Sequence, residues 1–342
     1  MLILKPTEPL KKDLSPKQKI LQLDPLGTLF LLPCLICLLL ALQWGGSSLA
    51  WSSSKIIALL VLFGLLLTAF INVQIFKQAT AQIPAAIIRN RSMLAGSFFI
   101  FNLAAGMMIM VYYIPIYFQA VKGVSAQESG IRTIPLVLSL VAGSIISGVA
   151  TGKIGYYTQF AYVSAVVMPV GAGMISTWKV DAGHGEWIGF QVLYGLGLGL
   201  GMQQAQLAAQ TVLKRVDVPT GMALIVFMQT LGGAVFISVG QNVLASHLVS
   251  GLSGLVGGLD PAVIVNTGAT DLRGLVPAEQ LPAVLEVYSE ALRQVFLIAT
   301  GLASVTILGA LGLEWKSVKK DKKGGVQKDA VGDVEKEPSS AT

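Results

Sequence analysis

Charge is scarce in this sequence and missing from most of its length. Charged residues make up 12% of 342, about half of the ~25% usual in soluble domains. Eight runs hold no Asp, Glu, Lys or Arg: Leu26–Trp44, Ile56–Phe76, Met93–Phe118, Thr133–Thr151, Phe160–Trp178, Trp187–Leu207, Gly221–Val243 and Gln294–Leu313. Each is about 20 residues, enough for a helix to cross a hydrocarbon core of roughly 30 Å. A soluble core could not hide eight such runs. The expected class is an all-α integral membrane protein with eight transmembrane helices. Cysteine and histidine are almost absent, with two of each. His184, His247 and the pair Cys34-Leu-Ile-Cys37 cannot build a four-ligand metal centre at membrane depth. The Cys-x-x-Cys spacing is that of a redox or metal pair, but a thiolate inside an uncharged run is costly, so packing is its expected use. No metal and no cofactor are expected. No run holds an acid, base and nucleophile together, which argues against an enzyme.

Glycine is abundant, with 37 residues. In lipid, small residues let helices approach closely. Gly195-Leu-Gly-Leu-Gly-Leu-Gly201 has a nucleotide-loop look, but such a loop needs a strand before it, and here it lies within the sixth run. Its physical content is two small-xxx-small pairs on different helix faces, Gly195/Gly199 and Gly197/Gly201. The sixth helix is therefore expected to be gripped on two sides. The fourth run repeats the pattern with Gly143/Ser147 and Ser144/Gly148/Gly152.

Basic residues set the orientation. With both termini cytoplasmic, inner segments hold 18 of the 24 Lys and Arg, and outer segments hold Lys55, Lys122, Arg132, Lys179, Arg273 and Arg293. The net charge of +6 thus follows topology and implies no nucleic-acid partner. The expected organisation is a cytoplasmic segment over 1–25, a helix pair over 26–76, a cytoplasmic loop over 77–92, six helices over 93–313 with a long outer loop over 246–288, and a disordered cytoplasmic tail over 314–342. Within the long loop, the stretch from Pro277 to Tyr288 reads as an amphipathic helix entering the last span. Met1–Leu23 carries five lysines and no apolar core, so no signal peptide is read there. The sequon Asn90-Arg-Ser92 falls on the cytoplasmic side and should be unused, so no glycosylation is expected.

Neutral polar residues inside the runs are the candidate ligand-binding positions, because buried amides must find partners. Gln203, Gln206 and Gln210 fall on one face of a continuous sixth helix. Asn102 and Gln229 fall near mid-membrane. Tyr112, Tyr113 and Tyr117 flank Pro115 at the outer end of the third run. An interfacial aromatic belt is the default reading for them, and Pro115 could bend the helix. Gln241 and Asn242 fall near the outer end, at headgroup level.

Several segments together resemble one family. Leu42-Gln-Trp-Gly-Gly46 and Ala50-Trp-Ser-Ser-Ser-Lys-Ile-Ile57 are followed by Tyr117-Phe-Gln-Ala-Val-Lys-Gly-Val124, Ser129-Gly-Ile-Arg132 with Pro135, and Gly152-Lys-Ile-Gly-Tyr-Tyr157. Then come Gly201-Met-Gln-Gln204 with Ala209-Gln-Thr-Val212, Gln229-Thr-Leu-Gly-Gly233, Gly240-Gln-Asn242, and Asn266-Thr-Gly-Ala-Thr270 with Leu272-Arg273. These resemble fungal 14-span drug:proton antiporters of the major facilitator superfamily, which include toxin efflux pumps. The resemblance implies a linker pair plus the C-terminal six-helix half of such a transporter. It implies export of an amphipathic small molecule across the lipid bilayer, in the plasma membrane by default with a vacuolar membrane as the alternative. A half-site lining of Asn102, Gln203, Gln206 and Gln229, with Tyr113 at the outer mouth, is the corresponding expectation. The family's charged machinery lies in helices that this chain does not match. The chain alone is therefore not expected to be proton-driven. The alternative is a non-transporting protein, or one that needs a complementary N-terminal half or a second copy. Ala205 stands where the family often has proline, which argues against a helix break there.

Overall fold

The computed structural model describes residues 24–46, 48–77, 82–253 and 276–319. The N-terminal segment before Asp24, most of the long loop and most of the expected tail lie outside the described residues. Among the described residues there are ten α-helices and no β-strand, only two isolated bridges. The helices are α1 (Pro25–Trp44), α2 (Ser54–Phe76), α3 (Ala85–Ile88), α4 (Arg91–Ala120), α5 (Ala126–Ile154), α6 (Thr158–Ile175), α7 (His184–Gly201), α8 (Gln204–Val212), α9 (Val218–Leu252) and α10 (Leu281–Gly312). Seven of them, α1, α2, α4, α5, α6, α9 and α10, are long and apolar enough to cross a membrane. The sixth run is covered by α7 and α8, set end to end.

Local chemistry sets the boundaries. Asn90 caps α4, its side chain accepting from the backbone N–H groups of Ser92 and Met93. That cap employs the side chain of the sequon asparagine. Ser125 caps α5 by accepting from Glu128 N–H, the Ser-x-x-Glu pattern of a helix start. Gly155 ends α5 with φ +92°, the left-handed conformation for which glycine is suited. α4 runs through Pro115 as a continuous helix. α10 is likewise continuous from Leu281, so most of the amphipathic stretch read ahead of the last span is its first turns. α9 reaches Leu252, well into the segment read as loop.

The six-helix unit is built around α4. It packs on α9 and α10 and touches α8, while α7 is held between α5 and α6, and α6 lies against α10. α1 and α2 form a hairpin that meets the unit through α1 and α9. Cys34 and Cys37 are buried and free in that hairpin, and the Cys34 Sγ–H donates to Phe63 O across the pair at 3.6 Å. This agrees with packing as their use.

The hairpin is tied down at both ends. Asp24, 1% exposed, caps α1 through Gly27 N–H and accepts from Gln74 Nε2 of α2 at 2.7 Å. Gln74 Oε1 in turn accepts from Ile83 N–H. At the opposite end Asn242 of α9 donates to Leu42 O of α1 at 2.7 Å and to Ser238 O. Asn242 is thus a helix tether, where the sequence places it at the headgroups.

Residues 314–319 are fixed against the α5–α6 turn, so an unstructured tail from residue 314 does not describe them. Glu314 O accepts from the Tyr157 hydroxyl at 2.8 Å and Glu314 N–H donates to Ser92 Oγ. Val318 N–H donates to Gly155 O. Burial and the nearby Glu314 carboxylate push the Tyr157 phenol up to about 12, against the opposing hydrogen bonds of Ser92 and Thr158.

Candidate functional site

The glycine run holds α7 between two helices, as its spacing implies. A Cβ on Gly195 would strike Leu136 O and Ser139 of α5, and one on Gly199 would strike Leu140 O of the same helix. A Cβ on Gly197 would lie 2.5 Å from Met168 N of α6, and one on Gly201 would strike Ser164 there. Glycines four residues apart share a helix face and those two apart do not, so Gly195 and Gly199 turn to α5 while Gly197 and Gly201 turn to α6. Ser144 of α5 completes the α5 contact by donating to Gly199 O at 3.3 Å.

The helix then breaks, against the expectation drawn from Ala205. α7 ends at Gly201 and α8 begins at Gln204. Met202 N–H donates to Leu198 O and Leu207 N–H to Gln203 O. Between these, Gln204 Nε2 reaches back to Leu200 O at 2.6 Å. A side-chain donor there competes with the backbone for the carbonyl that a continuous helix would use. Four glycines in seven residues weaken the helix just ahead of it. Proline is not required for the break.

The break decides where the amides point. Gln204 is buried, while Gln203 is exposed at the junction. Gln203 lines a shallow groove along α5 with Leu140, Val141, Ser144, Ile145, Gly148 and Val149, of about 430 Å³. Gln206 is half-buried on α8, Gln210 is exposed, and Gln229 is half-buried on α9. The side chains of Gln203, Gln206 and Gln229 have no hydrogen-bond partner among the described residues.

The other two predicted positions are occupied within the protein. Asn102 is buried and its Nδ2 donates to Phe98 O one turn back at 2.8 Å. Tyr113 is buried, and its hydroxyl donates to Ile237 O of α9 at 3.1 Å. They stand eleven residues apart on α4, roughly 16 Å along the axis, so the five candidates do not gather at one point. Tyr117 is also buried and donates to Lys179 O at 2.6 Å. Of the three tyrosines only Tyr112, half exposed, fits an interfacial belt. The other two found interior partners, as buried hydroxyls do.

Several positioning residues were not singled out from the sequence. Gln191, fully buried, donates to Arg132 O of α5 and to Trp187 O. Lys122 donates to Val180 O at 2.8 Å and Ala182 O at 2.7 Å. Burial lowers the Lys122 pKa from the usual lysine value, opposed by the carboxylates of Asp181 and Glu186, while Arg132 adds to the lowering. Arg132 pairs with Glu128 at 3.0 Å and lies 5.9 Å from the Phe118 and Trp187 rings. Phe118 meets Trp178 and Trp187, and Trp178 meets Tyr117 and Phe296. This end of the bundle is therefore locked by aromatic and cationic contacts. Three Trp and Tyr in otherwise apolar helix ends were the available signal.

No protein-family model matches the chain. It is 46% identical over 314 residues to the MFS-type efflux pump MFS1 of Arthroderma benhamiae, which covers 92% of this chain and 59% of that protein. It is 44% identical over 319 residues to the rubrofusarin-specific efflux pump aurT of Gibberella zeae, covering 93% of this chain and 58% of that one. The chain thus spans somewhat more than half the length of these relatives. In fold it resembles a bacterial homologue of the human lysosomal transporter Spinster in an inward-facing, occupied conformation. The TM-score is 0.53 at 12% identity, over 78% of this chain and 59% of that one. Close homology along nearly the whole chain, carried on a transporter fold, makes this a multi-pass membrane protein of the major facilitator superfamily, related to the fungal MFS-type efflux pumps.

Proposed function

We propose that the chain forms one wall of an exporter for amphipathic small molecules, with the α5 groove and the α7–α8 junction facing the transport path. One observation carries this reading. Gln203 presents an amide with no hydrogen-bond partner among the described residues, on a mostly apolar face otherwise made of Leu140, Val141, Ser144, Ile145, Gly148 and Val149. An unsatisfied amide facing hydrocarbon costs several kcal/mol. A face that carries one is better suited to water, ligand or another protein surface than to lipid tails. Gln206 and Gln229 are the further polar positions of this wall, while Asn102 and Tyr113 brace α4. The relatives' names support small-molecule efflux.

A facilitator's site lies between two halves that rock about it, so this wall needs an opposing one. A complementary N-terminal half is the favoured source and a second copy the alternative. Proton coupling needs a group that titrates at membrane depth, and the eight runs hold no charged residue. The chain alone is therefore not proton-driven. The Lys and Arg distribution supports cytoplasmic termini, and the plasma membrane is the default location.

Growth tests this. A pump-deficient fungal strain is challenged with a panel of toxins while expressing this chain alone, or together with the N-terminal six-helix segment of a homologous pump. Resistance only in the second strain, lost on Gln203→Ala with membrane levels unchanged, is the expected result. Resistance from the chain alone sinks the split reading. Resistance untouched by Gln203→Ala sinks the assignment of the wall.

A further inference from the structure

We propose that the chain holds a zwitterionic phospholipid in a cleft at the far end of α6 and α10, away from the α5 groove. The cleft measures about 700 Å³ and is bounded by the segment after α6 and by the first turns of α10. Its charges are of both signs. Lys179 and Arg293 are cationic, and Asp181, Glu286 and Glu290 are anionic. Glu290 and Arg293 pair with each other at 3.0 Å. Asp181 and Glu286 form no ion pair within 4.0 Å among the described residues, though Lys122, held by Val180 O and Ala182 O, acts on Asp181 from beyond that distance. Trp178 lines the same cleft, 3% exposed, and its indole N–H has no hydrogen-bond partner among the described residues.

The cleft sits where a lipid headgroup would lie. Trp178 is the last residue of the fifth apolar run, and Arg293 immediately precedes the eighth. Tryptophan and basic residues at this level anchor proteins to headgroups. Beneath the cleft, a Cβ on Gly173 of α6 would rest 3.7 Å from Thr300 of α10, so the two helices form one seam there. Val166 and Val170 on α6 and Leu297 on α10 stay exposed around it, between 40% and 59%. The arrangement is a two-signed polar cup above an apolar seam. Arg293 and Lys179 suit a phosphate, with the indole as a further donor. Asp181 and Glu286 suit a headgroup ammonium, and the seam suits the acyl chains. An anionic phospholipid would gain the first contact and be repelled by the second.

Native mass spectrometry of the full chain in detergent, with equimolar phosphatidylcholine and phosphatidylglycerol, reads the preference directly. Expected is a several-fold excess of bound phosphatidylcholine, which falls to parity in Asp181→Asn/Glu286→Gln. Both side chains are exposed, so the double variant should fold, and its unfolding midpoint checks this. Soluble glycerophosphocholine should neither bind nor compete, because it lacks the chains that the seam receives. Equal binding of the two lipids by the wild type overturns the proposal, as does a preference that survives the double substitution. Competition by glycerophosphocholine overturns the lipid assignment and makes the cleft a site for soluble zwitterions.

Discussion

Adding one methyl group at Gly197 should separate α7 from α6. A Cβ there would lie 2.5 Å from Met168 N and 2.7 Å from Met168 Cα, backbone atoms that cannot swing aside. Ordinary contact begins at 3.4 Å, so the helices must part by about 0.9 Å, the difference between the two distances, over the length of the seam. Overpacking of this kind costs ~1–3 kcal/mol. Against it stands the ~1 kcal/mol by which alanine exceeds glycine in a helix interior. The clash is with backbone and outweighs the propensity gain. Gly171→Ala probes the same seam from α6, where its Cβ would lie 2.5 Å from Tyr194 N. Gly152→Ala and Gly301→Ala are the controls, since a Cβ at either position meets nothing within 4 Å. The assay is thermal unfolding in detergent followed by tryptophan fluorescence. Expected is a fall of several degrees for Gly197→Ala and Gly171→Ala, and no fall or a small rise for the controls. Equal midpoints for all four variants would refute the close α6–α7 packing.

Four further outcomes follow from single side chains. Asn242→Leu removes the α9 donor to Leu42 O, a part-buried contact, at a cost of ~1 kcal/mol. Earlier reaction of Cys34 and Cys37 with a thiol-reactive dye on heating would show the hairpin loosening first. Asp24→Ala removes the α1 cap and the Gln74 contact, with ~1–2 kcal/mol expected from the cap, and Asp24→Asn should recover most of it. Lys122→Met strips two carbonyls of their donor, and limited proteolysis should then cut the 176–183 segment faster while α1 and α2 stay intact. Gln203→Ala should leave the stability within ~0.5 kcal/mol of wild type, because its side chain makes no hydrogen bond among the described residues. A large loss there would mean that Gln203 is structural.

Much of the fold was legible because its rules are periodic. Eight uncharged runs of span length gave the helices, and the glycine spacing told which residues of α7 face which neighbour. Sequence reasoning failed where two groups compete for one atom. The break after Gly201 depends on Gln204 Nε2 taking the carbonyl of Leu200, a choice that a hydropathy pattern does not encode. Treating Gln203, Gln206 and Gln210 as one helical face followed from missing that break. Tyr113, Tyr117 and Asn242 were placed at the interface by their distance from the run centres. Each instead turns inward to a backbone carbonyl that only the folded packing supplies. Asp24 lies one residue outside the helix it caps and two residues before the first run. A search confined to charges inside the runs could not find it.

Reconstituted vesicles give the most direct test of the proposed function. The purified chain is placed in vesicles of defined lipid, a pH gradient is imposed, and accumulation of a fluorescent amphipathic substrate is followed with the chain alone and with an added N-terminal half. No gradient-driven accumulation is expected from the chain alone, and accumulation is expected when the second half is present. Uphill accumulation by the chain alone would contradict the proposal that it supplies only one wall of the exporter.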